Sequence, residues 1–358
     1  MVKRLAFAVP GDLATPTGGY AYDRRMIAEL GQLGWQIDLL NLGEGFPWPN
    51  EATRTTARTR LLATPAGRII VVDGLALGVL PETASQLAGR NPLMALVHHP
   101  LALESGLSVE QADALRTSER AALAAVQGVV VTSAATARLV ASEYGVPAAR
   151  IMVARPGSDP APMAHGSQDG VVRLLSVGAV VPRKGFDVLI AALATLGDLP
   201  WRLTIAGDRT RDHSAAAQLD ADIARHALEN RVAVLDAVSP QRLAALYAEA
   251  DLFVLASYFE GYGMAYAEAV AHGLPVVGTN AGAIADTVPP DAGLLVEPGD
   301  IAAFAAALRS VIEDAGLRRR LADAARAAAL QLPTWRQSAE VFARALETLA
   351  GAASPPIG

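Results

Sequence analysis

No cysteine occurs among the 358 residues. That removes disulfides, thiolate zinc sites and cysteine nucleophiles together, and fits a reducing compartment. Aromatic residues are few, at 5%, and charged residues make up 18% against 52% hydrophobic ones, which leaves ample material for packed cores and excludes a disordered chain. Long apolar runs are missing as well. The nearest uncharged stretch, Ala121 to Ala137, is interrupted by Gln127, Gly128, Thr132, Ser133 and Thr136, whereas a membrane span needs about 20 predominantly apolar residues. The start, Met1-Val2-Lys3-Arg4-Leu5-Ala6-Phe7-Ala8-Val9, has the charge order of a signal peptide. Its apolar run of about six residues is shorter than the roughly 7–15 of an h-region, so it reads as a first buried strand. The expectation is a cytoplasmic protein, soluble or at most peripheral to a membrane. A net charge of −6 carries no basic excess, which argues against nucleic acid as a partner.

Common catalytic signatures are also absent. There is no His-Glu-x-x-His and no Gly-x-Ser-x-Gly, and after the first strand Val9-Pro10-Gly11-Asp12 offers one glycine where a dinucleotide fingerprint needs three. Metalloprotease, α/β-hydrolase and NAD-dependent dehydrogenase are thereby excluded.

What is present is a recurring pattern. Short β-rich runs at Leu5–Val9, Ile37–Leu40, Ile69–Val72, Met94–Val97, Val129–Val131 and Ile151–Val153 alternate with Ala/Leu/Glu/Arg stretches of helical period. This predicts βα units around a parallel sheet buried on both faces. Pro156-Gly157-Ser158-Asp159-Pro160-Ala161-Pro162, continuing to Gly170, has linker chemistry. A second series follows at Val171–Val177, Arg202–Ala206, Val232–Leu235, Leu252–Leu255, Pro275–Gly278 and Gly293–Val296. The predicted architecture is α/β, two Rossmann-like doubly wound domains facing across a cleft: residues 1–160, residues 171–332, and a closing helix over 333–358, opened by Pro333-Thr334-Trp335, which the resemblance set out below implies crosses back to the first domain. In open parallel sheets ligands sit at the carboxyl ends of strands, so function is sought in the loops that follow them.

Two such loops carry chemistry. After the strand ending at Val177 comes Gly178-Ala179-Val180-Val181-Pro182-Arg183-Lys184-Gly185-Phe186-Asp187, opening a helix through Leu189, Ile190 and Leu193. Adjacent cations at a helix start oppose the macrodipole, so an anion is expected beside them. The chain has 28 Arg and two Lys, and a Lys at 184 in so Arg-rich a sequence suggests a compact ammonium serving as a point charge on phosphate. After Leu252–Leu255 comes Ser257-Tyr258-Phe259-Glu260-Gly261-Tyr262-Gly263-Met264-Ala265-Tyr266-Ala267-Glu268-Ala269-Val270-Ala271-His272-Gly273-Leu274-Pro275. Gly261 and Gly263 let backbone approach a ligand, and Met264 to Ala271 reads as a helix closed by Gly273 whose free N–H groups face an anion. Glu260 and Glu268 are too far apart in sequence for one close carboxylate pair and would contact opposite ends of an elongated ligand.

This string, with Glu260 and Glu268 separated by seven residues, resembles the E-x7-E signature of the family 4 retaining glycosyltransferases of GT-B fold. The resemblance extends over most of the chain, through Pro16-Thr17-Gly18-Gly19-Tyr20, Asp73-Gly74, His98, Pro156-Gly157, Arg183-Lys184-Gly185, Ile205-Ala206-Gly207-Asp208, Ala250-Asp251-Leu252-Phe253-Val254 and Gly293-Leu294-Leu295-Val296-Glu297-Pro298-Gly299-Asp300. It implies transfer of a sugar, with retention, from a nucleoside-diphosphate sugar such as a UDP- or GDP-sugar to an acceptor hydroxyl, with no metal and no cofactor beyond the donor. Arg183 and Lys184 would neutralise the diphosphate. Glu260 and the amides of Gly261, Tyr262, Gly263 and Met264 would hold the donor sugar, and Glu268 the ribose. Gly18 and Gly19 would lie against the phosphates, Gly178 and Gly207 would line the donor site, and His98 would stand beside the reacting carbon. His98, Glu260, Lys184 and Arg183 are the catalytic candidates. Many relatives carry Gly-Arg where this chain has Gly178-Ala179, so the cationic clamp rests on Arg183 and Lys184.

Other features read as follows. His98 and His99 point to opposite sides if the strand continues and cannot close on one metal; one is expected in the cleft and one in packing, with His98 favoured for the cleft. Asp220-Ala221-Asp222 matches the Asp-x-Asp of metal-dependent GT-A enzymes but falls in a helical stretch, Ala216–Leu228, so no metal site is expected. Arg54, Arg58, Arg60 and Arg68, preceded by Phe46-Pro47-Trp48-Pro49, read as a solvated loop, with contact to anionic lipid as the alternative. Two further functions stay open: a catalytically silent domain that binds a nucleotide sugar as a regulatory partner, and a nucleotide-sugar epimerase.

Overall fold

A computed structural model describes residues 3–15, 17–104 and 106–352; Pro16 of the resemblance lies outside the described residues. The chain divides into two compact units, Met1–Gly157 with Pro333–Gly358, and Ser158–Leu332.

The first unit is built on six parallel strands: β1 (Arg4–Val9), β2 (Gln36–Asn41), β3 (Ile69–Asp73), β4 (Leu93–Val97), β5 (Gly128–Val131) and β6 (Ile151–Val153), in the spatial order β2-β1-β3-β4-β5-β6. Strand β3, Ile-Ile-Val-Val-Asp, is buried at every position, as is β4, which is how strands covered by helices on both faces must read. Strand β2 departs from that expectation. It is an edge strand, largely exposed or half-buried, and accordingly carries Gln36, Asp38 and Asn41 among its apolar residues. The closing helix, Trp335–Ala352, belongs to this unit: Phe342 packs 6.5 Å from Phe7 and Trp335 meets the edge of Tyr22 at 6.0 Å. Gly157 is a steric requirement there, since a Cβ on it would come 2.2 Å from the Trp335 amide.

The second unit repeats the plan with β7 (Val172–Val177), β8 (Trp201–Ala206), β9 (Val232–Leu235), β10 (Leu252–Val254), β11 (Val276–Thr279) and β12 (Gly293–Val296), all parallel, ordered β12-β11-β10-β7-β8-β9. The order reverses between β7 and β10, and such a switch point opens a crevice at the strands' carboxyl ends. The reversal in the first unit lies between β1 and β3. Every predicted strand is present, displaced by at most one residue at an end.

Two local expectations are corrected. Residues 158–170 have linker composition yet are bonded into the second unit: Ala164 N–H donates to His272 O (2.8 Å), His165 N–H to Ala248 O (2.9 Å) and Ser167 N–H to Asp251 Oδ1 (3.0 Å). Most of the basic stretch is not a loop: Arg54, Arg58 and Arg60 lie on a helix, Glu51–Leu62, capped by the Asn50 side chain, and only Arg68 lies outside it, just before β3. Arg54 donates to Val79 O, Arg60 to Asn41 O, and Arg68 pairs with Asp38, so three of its four cations are held within the unit. Of Phe46-Pro47-Trp48-Pro49, only Trp48 is exposed.

Candidate active site

In the second unit, the chain leaves β7 at Gly178 and forms a 3-10 turn, Pro182–Lys184, before the helix Phe186–Ala194. Arg183 and Lys184 therefore sit ahead of the helix rather than in its first turn, where Asp187 meets the macrodipole with the favoured sign. Gly185 joins turn to helix in the left-handed region (φ 64°), and a Cβ there would lie 2.0 Å from Ala256 O. Only glycine lets this turn dock against the end of β10, which brings residues 183–184 to residues 257–260. Gly207, at the end of β8, is required for a similar reason: its Cβ would come 1.9 Å from Gly178 O.

The anion expected beside the two cations is provided by the protein. Glu260, 6% exposed, accepts from Lys184 Nζ at 2.6 Å and from the Ser257 hydroxyl at 2.8 Å on Oε1, and from Arg183 at 3.3 Å on Oε2. Burial by itself raises a carboxyl pKa; here Lys184 and Arg183 outweigh it and hold Glu260 down at about 2. The loop that carries Glu260 is pinned at several backbone points. Arg183 Nη1 donates to Phe259 O (2.7 Å), Tyr258 N–H to Arg183 O (2.8 Å), Ala283 N–H to Glu260 O (2.9 Å) and the Thr287 hydroxyl to Tyr262 O (2.6 Å). Three hydrogen bonds thus occupy a carboxylate with roughly four acceptor positions.

The next helix is Met264–Ala271, preceded by left-handed Gly263 (φ 85°) and followed by left-handed Gly273 (φ 71°). Gly273 closes it as the sequence predicts. Glu268 accepts from the Tyr247 hydroxyl at 2.9 Å. Burial raises its pKa, and Asp159 adds to the rise, while that hydrogen bond and Lys184 oppose it. Tyr247 is itself stacked on His272 at 4.8 Å, and His272 Nδ1 lies 2.8 Å from Pro162 O. Glu260 and Glu268 thus have separate settings, one held by two cations and one by a phenol.

In the first unit, the helix Gly18–Gln32 opens just after the end of β1, capped by Thr17. Strand β4 stops at Val97, and the two histidines that follow diverge: His99 Nε2 stands 3.4 Å from Glu104, and His98 Nε2 stands 3.2 Å from Asp23 Oδ1 and 3.8 Å from Asp73 Oδ2. Gly19 admits the His98 ring, since a Cβ there would lie 3.3 Å from Cδ2. Asp23 and Asp73 are buried. Burial first and the Asp23 charge second push Asp73 up to about 7. For His98, burial works toward a lower pKa, but the Asp23 charge and hydrogen bond prevail and raise it. Potential ligand atoms of Asp23, Asp73 and His98 lie within 4.8 Å of one another, the one such trio among the described residues.

The structure thus joins Arg183, Lys184, Glu260 and the glycines 178, 207, 261 and 263 in the second unit, and Gly19 and His98 in the first; Gly18 is the first residue of its helix. Asp220 and Asp222 lie on the helix His213–Arg225, paired with Arg209 and Arg225. The sequence reading missed Asp23, although its place four residues after Gly19 puts both on one helical face. It also missed Tyr247, for which no local signal exists.

Residues 160–328 match the family described as Glycosyl transferases group 1. Among curated proteins, the chain is 27% identical over 330 residues to an MMP alpha-(1->4)-mannosyltransferase of Mycolicibacterium hassiacum, covering 86% of this chain and 77% of that one. It is 31% identical over 258 residues to a D-inositol 3-phosphate glycosyltransferase of Pseudarthrobacter chlorophenolicus, covering 67% and 60%. Among solved structures, sucrose-phosphate synthase from Thermosynechococcus elongatus superposes with a TM-score of 0.81 at 20% identity, over 98% of this chain and all of that one. The Anabaena protein HepE in complex with UDP-glucose gives 0.74 at 19%, over 97% and 100%. Residues 160–328, nearly the whole second unit, are therefore similar to the group 1 glycosyl transferases, and the chain has the fold of the GT-B glycosyltransferases.

Proposed function

We propose that this protein is a retaining glycosyltransferase of family 4, taking a sugar from a nucleoside-diphosphate sugar, UDP- or GDP-linked, to an acceptor hydroxyl without a metal ion. The observation that carries the reading is the clamp at the switch point of the second unit, where Glu260 is gripped by Lys184, Arg183 and Ser257. The E-x7-E spacing to Glu268, the mannosyltransferase and inositol-phosphate glycosyltransferase relatives, and the UDP-glucose bound by HepE support it.

The Lys184 ammonium, a three-donor point charge, and the Arg183 guanidinium are assigned to the donor diphosphate. Glu260 accepts from a sugar hydroxyl, the amides from Gly261 to Met264 bind alongside, Glu268 takes the ribose hydroxyls, and Gly18, Gly19, Gly178 and Gly207 allow close approach to the phosphates. In the reaction the bond from the sugar's anomeric carbon to the phosphate oxygen breaks, and a bond to the acceptor oxygen forms on the same face. The acceptor's proton passes to the departing phosphate. Negative charge grows on the leaving diphosphate, so cations already fixed in place by Glu260 stabilise the transition state without reorganising. His98 is assigned to the reacting sugar. The acceptor belongs to the first unit; its class is a glycan, a lipid or a small molecule, and Trp48 and Arg58 are the exposed residues available to a membrane-borne one. Intact Lys184, Glu260 and Glu268 speak against a silent binding domain, and nothing in the comparisons favours an epimerase.

The test is to supply UDP- and GDP-sugars with candidate acceptors and follow release of the nucleoside diphosphate, with and without EDTA. Donor-dependent release unaffected by EDTA is expected; a full stop with EDTA would contradict the metal-free mechanism.

A further inference from the structure

We propose that Asp23 and Asp73 are positioning residues that bind the Nε2 side of His98 and so turn Nδ1 into the nitrogen that donates a hydrogen bond to an oxygen of the sugar substrate. This rests on the reading of His98 given above, and extends it to two residues that no sequence signature marks.

The geometry is specific to one nitrogen. His98 Nε2 stands 3.2 Å from Asp23 Oδ1 and 3.8 Å from Asp73 Oδ2, while Asp73 is itself fixed by the Leu75 N–H at 2.7 Å. The ring is held in place by Tyr22 at 5.4 Å, edge-on, and by the close approach of Gly19. Tyr22 is in turn anchored through its hydroxyl to Ala154 O (2.9 Å). The His98 main chain is fixed as well, its carbonyl accepting from the Thr132 hydroxyl at 3.2 Å. The charged groups against the ring are Asp23 from the helix Gly18–Gln32 and Asp73 from the end of β3; Tyr22 is held neutral by burial.

Stability does not explain this arrangement. Asp23 is fully buried and its Oδ2 has no hydrogen-bond partner, a condition that is costly for a carboxylate. A half-satisfied acid beside a histidine at the end of a strand is the kind of local conflict that persists for function. With Nε2–H committed inward, Nδ1 is the nitrogen left over, and two carboxyls at the back of the ring favour the imidazolium, in which Nδ1 also carries hydrogen. A neutral ring in the same pose would present an Nδ1 lone pair instead. Asp23 thus decides whether His98 offers a donor or an acceptor, and Asp73, 3.8 Å from the same nitrogen, tunes that choice.

The test uses the full chain with histidine labelled in 15N, where long-range proton–nitrogen spectra report which ring nitrogen carries hydrogen; His98→Gln assigns the signal among the six histidines. The expected result is a His98 protonated at Nε2 throughout. Its titration midpoint should fall by roughly 1–3 pH units in Asp23→Asn, as removal of an adjacent opposite charge demands. Asp73→Asn gives the second readout should the first variant not fold, and is expected to move the midpoint in the same direction by less. On a working donor and acceptor pair, Asp23→Asn should lower kcat roughly tenfold or more with donor KM little changed, the mark of an interaction made in the transition state. A His98 signal protonated at Nδ1 alone in the free protein, or an unmoved midpoint in both variants, would overturn the proposal. These spectra are read without substrate, so they stand even if no sugar transfer is found.

Discussion

Lys184 Nζ lies 2.6 Å from Glu260 Oε1, 76 residues away in sequence, and this pair joins the loop after β7 to the loop after β10. Both partners are mostly buried, with side chains 13% and 8% exposed. In such surroundings the pair is weak as a source of stability but costly to break from one side. Its value here is positional: it holds an ammonium and a carboxylate at one switch point with fixed orientation.

Glu260→Ala should abolish sugar transfer while nucleotide binding stays largely intact, because Lys184 and Arg183 remain to meet a diphosphate. It should also destabilise the second unit by about 3 kcal/mol, since two partly buried cations lose their anion. Thermal melts and calorimetry with nucleoside diphosphates check both; an unchanged transfer rate would remove the sugar role of Glu260.

Tyr247→Phe deletes the hydroxyl that donates to Glu268 at 2.9 Å and, more weakly, to Ala265 O at 3.3 Å. A hydrogen bond to a charged group contributes about 1.5–3 kcal/mol, so affinity for the nucleoside portion should fall by roughly tenfold or more, equally for nucleoside and nucleoside diphosphate. An effect on the diphosphate alone would place Glu268 elsewhere than at the ribose.

Glu119, buried on the helix Val109–Ala125, accepts from Leu101 N–H at 2.9 Å, and burial pushes its pKa up to about 8. A folded-state pKa above the unfolded one means that its contribution is fully present below about pH 4.3 and is lost as pH rises to about 8. Glu119→Gln keeps the acceptor oxygen and has no proton to bind. The variant's melting temperature relative to the parent should therefore climb between pH 5 and 8 and level off above, by an amount on the order of 3 kcal/mol at pH 7. A pH-independent difference would place the carboxyl in contact with solvent.

Gly185→Ala forces a left-handed residue and a Cβ against Ala256 O. The cost is roughly 2–4 kcal/mol, and because the turn must retreat, Lys184 should lose Glu260. Both stability and diphosphate binding should drop, which a surface substitution such as Arg58→Ala should not reproduce.

Much of this was legible beforehand, for physical reasons that differ by element. Strands of parallel sheets are continuous apolar runs, so all twelve stood out, and the helix Met264–Ala271 announced itself through its closing Gly273. Edge position left a weaker trace, which is why β2 was expected to be buried. The basic helix Glu51–Leu62 was hidden by its four threonines and three arginines, which give no apolar stripe, although Asn50 is a serviceable cap. At the site, composition identified Arg183, Lys184 and Glu260 one by one but assigned the cations' anion to a ligand, because a partner 76 residues away leaves no local pattern. Asp23 was invisible for a related reason: in Tyr22-Asp23-Arg24-Arg25 it reads as a surface charge, and only the fold turns it inward.

The central claim, a diphosphate held by the Lys184–Glu260 clamp, is tested most directly by thermal shift across UDP, GDP, ADP and TDP with their common sugars, on the parent and on Lys184→Ala. A ligand at 100 times its Kd stabilises by about 2.7 kcal/mol. The account predicts a selective rise for one base and its sugar, with the diphosphate's share lost in Lys184→Ala and the free nucleoside's retained. A rise that survives Lys184→Ala undiminished, or none with any member of the panel, would contradict it.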